Sequence, residues 1–259
     1  MTTVALLGLG EAGSAFAADL LAAGVTLRAY DPAVPAPTGA VDCRDEAEAV
    51  AGAELVLSVN SAADAVTAAT KARPGLAPTT VYVDANTSAP ERKREIAAAL
   101  GEGAPFADVA LMSTVPGLGI RVPMVACGSA ARRAAEILES VGATVTVLDA
   151  PAGEAAGRKL LRSVFFKGLA AAVVESLEAA RAAGLEAETR AEIARELERA
   201  SAATIDRLLD GSRRHAVRRS HEMAAAVEML EGLGVPPRVS AASRDWLEQL
   251  AGDDAEGRR

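Results

Sequence analysis

Three glycines near the start of the chain, Gly8, Gly10 and Gly13, follow an apolar run and open an alanine-rich stretch with the composition of a helix. Glycine permits a tight turn, and the N-terminus of a helix binds anions through its unpaired N–H groups. The spacing G-x-G-x-x-G between a strand and a helix is typical of a loop that holds the pyrophosphate of a dinucleotide. The residues predicted to bind this cofactor are Gly8, Leu9, Gly10, Glu11, Ala12 and Gly13.

An acidic residue, Asp31, closes the second apolar run, at the distance of roughly 20 residues from the glycines that such a loop leads us to expect. Its carboxylate would accept hydrogen bonds from the adenosine ribose and repel a 2′-phosphate, which favours NAD over NADP. NADP stays open, because Arg28 or Arg44 could lie closer to this site in space than in sequence. The alternative for the glycines is that they serve only the packing of a strand, a turn and a helix.

The elements that would position these residues form an alternating pattern in the first half of the chain. Apolar runs that predict strands lie near residues 4–10, 25–31, 54–60, 80–86, 106–112, 122–128 and 143–149. Alanine-rich stretches between them predict helices and right-handed crossovers, so residues 1–150 are expected to form a Rossmann-type, doubly wound parallel sheet. Ligands of such sheets bind beyond the carboxyl ends of the strands, where the polar residues of these runs fall.

The second half of the chain, residues 151–259, contains no convincing strand and predicts a smaller all-α domain. The elements expected are a long helix over 154–183, a charged helix over 187–209, another over 213–233, a short last helix around Trp246, and a frayed tail from residue 252. The predicted fold class is therefore α/β followed by all-α. Much of the long helix is apolar around its circumference, which predicts a homodimer through the helical domain.

The composition restricts the partners of the chain. Half of the 259 residues are apolar and the formal net charge is −8, so nucleic acid is not expected as a partner. We find no uncharged apolar stretch of about 20 residues that could cross a membrane, and because the first strand is predicted to begin near Val4, we expect no leader segment. The two cysteines, Cys43 and Cys127, lie far apart and suggest neither a disulfide framework nor a metal site. We expect a cytoplasmic protein without membrane or metal partners.

Three later stretches resemble motifs of the β-hydroxyacid dehydrogenases, the family of 3-hydroxyisobutyrate and 6-phosphogluconate dehydrogenases. VDANTSAP, from Val83 to Pro90, resembles the strand-end motif of the family, and ADVALMSTVPG, from Ala107, resembles more loosely its substrate-binding segment. GRKLLRS, from Gly157, resembles the helix between the domains that carries the family's catalytic lysine. The resemblance covers nearly the whole chain and points to the subgroup with a short helical C-terminal domain.

The resemblance also implies which residues form the site. Lys159 stands at the position of the catalytic lysine, and Ser163 stands where the family has an asparagine. The stretch HEMAAAVEMLEGLGVPP, from His221, resembles a family segment that begins with a lysine–aspartate pair, and His221 and Glu222 stand in place of that pair. In relatives the lysine approaches cofactor and substrate. Asn60 and Asn86 stand where relatives line the nicotinamide ribose. The residues expected to bind substrate are Ser88 or Thr87, Ser113, Thr114, Ser163, Lys167 and His221.

The chemistry implied is hydride transfer between the nicotinamide and a small hydroxy acid, with Lys159 as general acid/base. A lysine can accept the hydroxyl proton only when its amine is neutral. Lys159, Ser163 and Lys167 recur every fourth residue and share one helix face, which would suit the carboxylate or phosphate of an anionic substrate. The alternative for this stripe is the solvated face of an amphipathic helix.

Two other functions stay open from the sequence. An imine reductase shares the fold and the hydride carrier but reduces a C=N bond, and relatives of that kind usually have aspartate or tyrosine where this chain has Lys159. A nucleotide-binding sensor without turnover is the other, because the chain departs from the family pattern at Ser163, at His221 and after Ser113.

Overall fold

The computed structural model describes residues 2–256, with side chains as far as Asp253. The chain divides into two compact units, of which the first ends at Arg162 and the second begins at Ser163. This division falls inside a helix. The domain boundary near residue 150 that the sequence pattern suggests stays a prediction.

The first unit contains an eight-stranded sheet. Its strands are β1 (Thr3–Leu7), β2 (Thr26–Tyr30), β3 (Val41–Asp42), β4 (Leu55–Ser58), β5 (Val81–Asp84), β6 (Phe106–Leu111), β7 (Pro123–Cys127) and β8 (Thr144–Val147). They lie in the order β3-β2-β1-β4-β5-β6-β7-β8, so the chain moves outwards from β1 to β3 and then crosses back to β4. The central strands are buried on both faces, as expected for a sheet between two helical layers. The predicted doubly wound α/β fold is confirmed.

One edge of the sheet departs from the predicted parallel arrangement. β6 and β7 pair antiparallel, with Asp108 opposite Cys127, whereas the other neighbouring strands run parallel to each other. The reason is their connection: residues 112–122 form a loop with a short 3₁₀ turn at Gly119–Arg121. A parallel crossover needs about a dozen residues or more, usually as a helix. This shorter loop starts β7 at the end of the sheet where β6 stops, so β7 runs antiparallel to β6.

Two helical layers cover the sheet. The helices are α1 (Glu11–Ala22), α2 (Glu46–Val50), α3 (Ala65–Ala72), α4 (Pro90–Leu100), α5 (Ala131–Ser140) and the start of α6 (Glu154–Ala182). α1 and α5 bury Phe16, Leu20 and Leu138 against one face. α2, α3 and α4 bury several alanines and Ile96 against the other. Because α1 and α4 begin just beyond β1 and β5, the polar residues of these connections lie at one edge of the sheet.

In the described part of the second unit every element is a helix. After α6 come α7 (Glu186–Glu198), α8 (Ala202–Arg214), α9 (Ala216–Gly232) and α10 (Arg238–Glu256). The single helix predicted over 187–209 is wrong, because a new helix begins after Ser201, whose N–H donates to Oγ1 of Thr204 (3.0 Å). The last helix has 19 residues and enters the segment expected to fray, of which residues 257–259 lie outside the described part. Within residues 2–256 we find no helix long and apolar enough to cross a membrane.

Glu175 of α6 fixes the start of α10 inside the second unit. Its buried carboxylate accepts hydrogen bonds from the N–H groups of Val239 (2.7 Å) and Ser240 (2.8 Å) and from the Ser240 hydroxyl (2.7 Å). Burial acts to raise the pKa of Glu175, but these donors hold the pKa below its ordinary value. The carboxylate therefore caps the helix in its charged form.

Candidate cofactor and active site

The turn between β1 and α1 requires glycine at two positions. Gly8 has φ +100°, a conformation that side chains rarely adopt, and a Cβ there would lie 2.7 Å from the backbone N of Asn60. A Cβ on Gly13 would lie 2.0 Å from the carbonyl oxygen of Gly8. These two glycines therefore let α1 and the end of β4 approach the end of β1 closely.

Gly10 differs from the other two glycines, because a Cβ at this position would meet no atom within 4 Å. It directly precedes α1 and has no side chain that could cap the helix. The first N–H groups of a helix have no acceptor within it, so Glu11 and Ala12 supply donors here. Packing explains Gly8 and Gly13, whereas open space at an uncapped helix N-terminus fits an anion such as a pyrophosphate.

Asp31 follows β2 and binds the glycine turn directly. Its Oδ2 accepts the N–H of Leu9 (2.8 Å), and its Oδ1 accepts the N–H groups of Ala33 (2.9 Å) and Val34 (3.0 Å). Partial burial acts to raise the pKa of Asp31, but these donors hold the pKa below its ordinary value. An ionised carboxylate accepts about four hydrogen bonds, so Asp31 retains capacity for a ribose hydroxyl. The N–H of Leu9 donates to Asp31 and its side chain is buried in the core, so neither group points to a role in binding the cofactor.

A cleft of about 370 Å³ joins these features. It is lined by Gly10 and Asp31, by Asn60 beyond β4, and by Glu46 and Lys71 from α2 and α3. Oε1 of Glu46 and Nζ of Lys71 lie 3.8 Å apart. Residues predicted to bind the pyrophosphate, the adenosine ribose and the nicotinamide ribose thus share one cavity.

Asn60 and Asn86 meet beyond β4 and β5. Nδ2 of Asn86 donates to Oδ1 of Asn60 (2.8 Å) and to Oδ1 of Asp84 (2.6 Å), and it lies 3.2 Å from Oγ of Ser58. Asn86, Asp84 and Ser58 are buried, whereas Asn60 is half-buried and lines the cleft. The buried partners therefore orient Asn86 and, through it, the amide of Asn60.

Lys159, in the second turn of α6, contacts the loop after β5. Its Nζ donates to Oγ1 of Thr87 at 2.7 Å, and Thr87 directly follows Asn86. Of the two neighbouring hydroxyls considered from the sequence, Thr87 is therefore the one beside the lysine. Ser88 is 8% exposed, and its Oγ has no hydrogen-bond partner within the described residues. Because a buried hydroxyl without a partner is costly, Ser88 is a second group that could bind a ligand atom.

The loop between β6 and β7 carries Ser113 and Thr114, both of which are exposed. The next residue, Val115, is buried in the core. Farther along the loop, the N–H of Ile120 donates to Oδ2 of Asp19 on α1 (2.8 Å). These contacts anchor the loop to the first unit and leave its two hydroxyls at the surface.

Comparison with known proteins shows the family of the chain. The family model for the NAD binding domain of 6-phosphogluconate dehydrogenase matches residues 3–150, and that for a domain of unknown function, DUF1932, matches residues 180–250. A probable 3-hydroxyisobutyrate dehydrogenase of Mycobacterium tuberculosis is 30% identical over 200 residues, which cover 73% of this chain and 67% of that protein. The chain belongs to the β-hydroxyacid dehydrogenase family.

Two solved structures share the fold of this β-hydroxyacid dehydrogenase family member. A conserved protein of unknown function, described as structurally similar to 3-hydroxyacid dehydrogenases, is 26% identical with a TM-score of 0.62, covering 96% of this chain and 97% of its own. An imine reductase of Streptomyces aurantiacus is 20% identical with a TM-score of 0.77, covering 98% and 95%. The predicted family and fold class are confirmed, and the protein is an oxidoreductase whose first unit binds a nicotinamide cofactor.

The remaining site residues predicted for this β-hydroxyacid dehydrogenase lie in the second unit. Ser163 is half-buried and Lys167 is exposed on α6. His221 is exposed on α9, and its neighbour Glu222 accepts a hydrogen bond from Arg218 (2.8 Å). The roles of these residues in substrate binding stay predictions.

A buried charge cluster formed by Asp84, Lys93 and Asp108 is absent from the sequence predictions. Nζ of Lys93 contacts Oδ2 of Asp84 (2.5 Å) and Oδ1 of Asp108 (3.1 Å), and the three side chains are at most 1% exposed. A signal for it exists, because Lys93, Ile96 and Leu100 have the spacing of one buried helix face. A lysine on such a face predicts a buried counterion, and here there are two.

Proposed function

We propose that this protein is an NAD-dependent dehydrogenase that acts on the CH–OH group of a small hydroxy acid, or on the corresponding carbonyl, with Lys159 as general acid/base. The observation that carries the proposal is the contact of Lys159 Nζ with Thr87 Oγ1 at 2.7 Å, one residue beyond the Asn60–Asn86 pair. A lysine on a solvated helix face would need no such partner from another element. The contact therefore favours a lysine held beside the expected nicotinamide ribose.

Oxidation of a hydroxy acid removes a hydride from carbon and a proton from oxygen. The nicotinamide, when bound, accepts the hydride. The neutral amine of Lys159 takes the hydroxyl proton, and in the reverse direction its ammonium returns the proton to the carbonyl oxygen. Thr87 orients the amine, which reduces the freedom that the long lysine side chain must lose when substrate binds.

NAD is proposed as the cofactor in preference to NADP. The charged Asp31 would repel a 2′-phosphate and accept a ribose hydroxyl instead. The two arginines that could bind such a phosphate are engaged elsewhere: Arg28 donates to the carbonyl oxygens of Ala49 (3.1 Å) and Glu48 (2.6 Å), and Arg44 donates to Oε2 of Glu48 (2.9 Å). These contacts support the preference for NAD.

The substrate is proposed to be anionic. Hydroxyl and cationic side chains both bind carboxylate and phosphate oxygens, and the cations form the stronger hydrogen bonds. The groups proposed to bind the substrate are Ser88, Ser113, Thr114, Ser163, Lys167 and His221.

We also propose that the second unit forms a homodimer. Large apolar side chains are exposed on its helices, among them Phe165 (60%), Ile205 (62%) and Trp246 (64%). Monomeric proteins rarely expose extended apolar surfaces, which supports a second copy as the covering partner. Light scattering after size exclusion should give twice the mass of one chain, and the mass of a monomer would contradict the proposal. The cytoplasmic location and the absence of nucleic acid and membrane partners stay predictions.

A substrate screen with the purified protein tests the proposed reaction. Small hydroxy acids are supplied with NAD or NADP, and keto acids and imines with the reduced cofactors, while the absorbance of the reduced nicotinamide is followed. We expect turnover of a hydroxy acid with NAD, and a loss of kcat of about 100-fold or more in Lys159→Met. Arg158→Met is the matched control, because Arg158 is the exposed neighbour on the same helix and should be dispensable.

Other outcomes contradict the proposal in defined ways. Turnover of imines but not of hydroxy acids would identify a reductase of C=N bonds. Binding of NAD in a calorimeter without turnover of any compound would favour a nucleotide-binding sensor. Parent activity in Lys159→Met would assign the proton transfer to another group.

A further inference from the structure

The buried charge cluster connects three elements of the first unit at one atom. Nζ of Lys93, from α4, donates to the backbone oxygen of Asp84 (2.9 Å) and to its carboxylate. The same Nζ pairs with Oδ1 of Asp108 (3.1 Å). Since Asp84 ends β5 and Asp108 lies in β6, one lysine ties both strands to α4 at the carboxyl edge of the sheet.

The second oxygen of Asp108 holds the start of α6. Oδ2 accepts the N–H groups of Gly153 (3.0 Å) and Ala156 (3.1 Å), and the thiol of Cys127 lies 3.4 Å away. A carboxylate at a helix N-terminus forms charge-assisted hydrogen bonds and complements the helix dipole. Lys159 follows Ala156 by less than one turn, so the position of this first turn determines where the Lys159 side chain begins.

The other carboxylate of the cluster reaches the side of the site expected to bind the cofactor. Oδ1 of Asp84 accepts from Nδ2 of Asn86 (2.6 Å), which also donates to Asn60 (2.8 Å). Thr87, the partner of Lys159, is the next residue. Lys93 thus holds both sides of the Lys159–Thr87 contact: its partner Asp84 orients the residue before Thr87, and its partner Asp108 holds the first turn of the helix that carries Lys159.

Stability alone does not account for these buried charges. Removing ions from water costs several kcal/mol each, and apolar residues of similar volume are often as stabilising as a buried ion pair. Burial raises the pKa of Asp84 above its ordinary value, with a smaller contribution from the nearby Asp108, while Lys93 and Asn86 act to lower it. The hydrogen bonds that Lys93 donates to Asp84 are directional, however, and Asp108 adds an ion pair to the same nitrogen. Such a cluster can fix two loops relative to each other where apolar contacts would allow them to slide.

We propose that Lys93 is a positioning residue for the reaction. It holds Asp84 and Asp108 so that Thr87 and Lys159 stay within hydrogen-bond distance, while Lys93 itself contacts neither substrate nor cofactor. The inference rests on the proposed function, in which Lys159 transfers the proton. It adds that the geometry of this base depends on buried ion pairs between a lysine of a different helix, α4, and two strands of the sheet.

Lysine-selective NMR tests this geometry without any need for turnover. The chain contains four lysines, Lys71, Lys93, Lys159 and Lys167, so each side chain can be followed as one signal. The loss of a signal in Lys159→Met assigns Lys159. In the parent we expect a nuclear Overhauser contact between the Lys159 ε-methylene and the Thr87 methyl group, and in Lys93→Met we expect its loss.

Ile96→Ala is the matched control, because Ile96 is fully buried on the same face of α4 and carries no charge. Both substitutions destabilise the first unit, but only Lys93→Met removes the cation. We expect Ile96→Ala to keep the Lys159–Thr87 contact. In Lys93→Met kcat should fall about tenfold or more below that of the control. The fall in kcat should exceed the rise in Kd for NAD, although some rise is expected because Asp84 also orients the Asn86–Asn60 pair beside the cofactor cleft.

Persistence of the Lys159–Thr87 contact in folded Lys93→Met would overturn the proposal, whatever happens to kcat. Loss of the contact in both variants would overturn it too, because general destabilisation would then explain the effect. If Lys93→Met does not fold, Asp108→Asn replaces it, since one amide oxygen cannot serve both Lys93 and the α6 N–H groups. If the parent turns over no substrate, the proposed function fails, and the NMR contact still decides the role of Lys93.

Discussion

Two substitutions in the glycine turn separate packing from cofactor binding. Gly13→Ala would place a methyl group 2.0 Å from the carbonyl oxygen of Gly8. Non-bonded heavy atoms prefer separations of about 3.5 Å or more, so α1 and β1 must move apart by roughly 1.5 Å. Overpacking typically costs about 1–3 kcal/mol, and for so close an approach the free energy of unfolding should fall by about 3 kcal/mol.

Gly10→Ala should have the opposite effects: little change in stability and weaker binding of NAD. Its methyl group meets no atom within 4 Å, and the φ of −65° at Gly10 suits alanine. The less favourable helix cap and the reduced entropy of the unfolded chain nearly cancel, so stability should change by less than about 1 kcal/mol. If the pyrophosphate lies beside Gly10, the methyl group takes up its space, and 1–3 kcal/mol of overpacking would raise the Kd for NAD roughly 5- to 150-fold.

Urea denaturation measures the first quantity, and isothermal titration calorimetry with NAD measures the second. Parent affinity for NAD in Gly10→Ala would refute the placement of the pyrophosphate beside this residue. A loss of stability in Gly10→Ala as large as that in Gly13→Ala would mean that both glycines serve packing alone.

Three further predictions concern single side chains. Asp31→Ala should raise the Kd for NAD roughly tenfold or more and narrow the preference over NADP, and equal affinities of the parent for both cofactors would contradict this. Glu175→Gln should lower the free energy of unfolding of the second unit by about 1.5–3 kcal/mol at neutral pH. Because the pKa of Glu175 is lowered in the folded state, its contribution to stability requires the ionised carboxylate, and this difference should shrink below about pH 4.5. A difference in urea denaturation that does not depend on pH would contradict the role of Glu175 as a charged helix cap. Thr87→Val should lower kcat about tenfold at unchanged Kd for NAD, and Thr87→Ser should restore it; parent kcat in Thr87→Val would remove the hydroxyl from the mechanism.

The central strands are predictable because a strand buried on both faces needs a continuous apolar run. β3 has no such run: Val41 and Asp42 are both exposed and form a strand only through their pairing with β2. The antiparallel direction of β7 can be predicted from the sequence. The stretch between Leu111 and Pro123 is too short and too rich in glycine for a helical crossover, and that alone excludes a parallel return.

Local patterns predict the site less well where it depends on contacts between distant residues. The glycine turn is a local pattern and is recognisable from its spacing. Thr87 and Ser88 are adjacent hydroxyls, and the course of the loop beyond β5 decides which of them is buried and which contacts Lys159. Lys93 lies on an apolar helix face, but its counterions come from two strands whose neighbourhood only the sheet order reveals.

Hydride transfer requires a fixed separation between the cofactor and the base, and the contacts around Asn60 offer a way to maintain it. The backbone N of Asn60 lies so close to Gly8 that no side chain fits between them. The amide oxygen of Asn60 accepts from Asn86, and the next residue, Thr87, holds Lys159. Between the glycine turn and Lys159, the proposed base, the contacts therefore run through the short side chains of Asn60, Asn86 and Thr87. In the proposed function, these contacts would keep the glycine turn and Lys159 at a fixed separation, although the two motifs lie far apart in the chain.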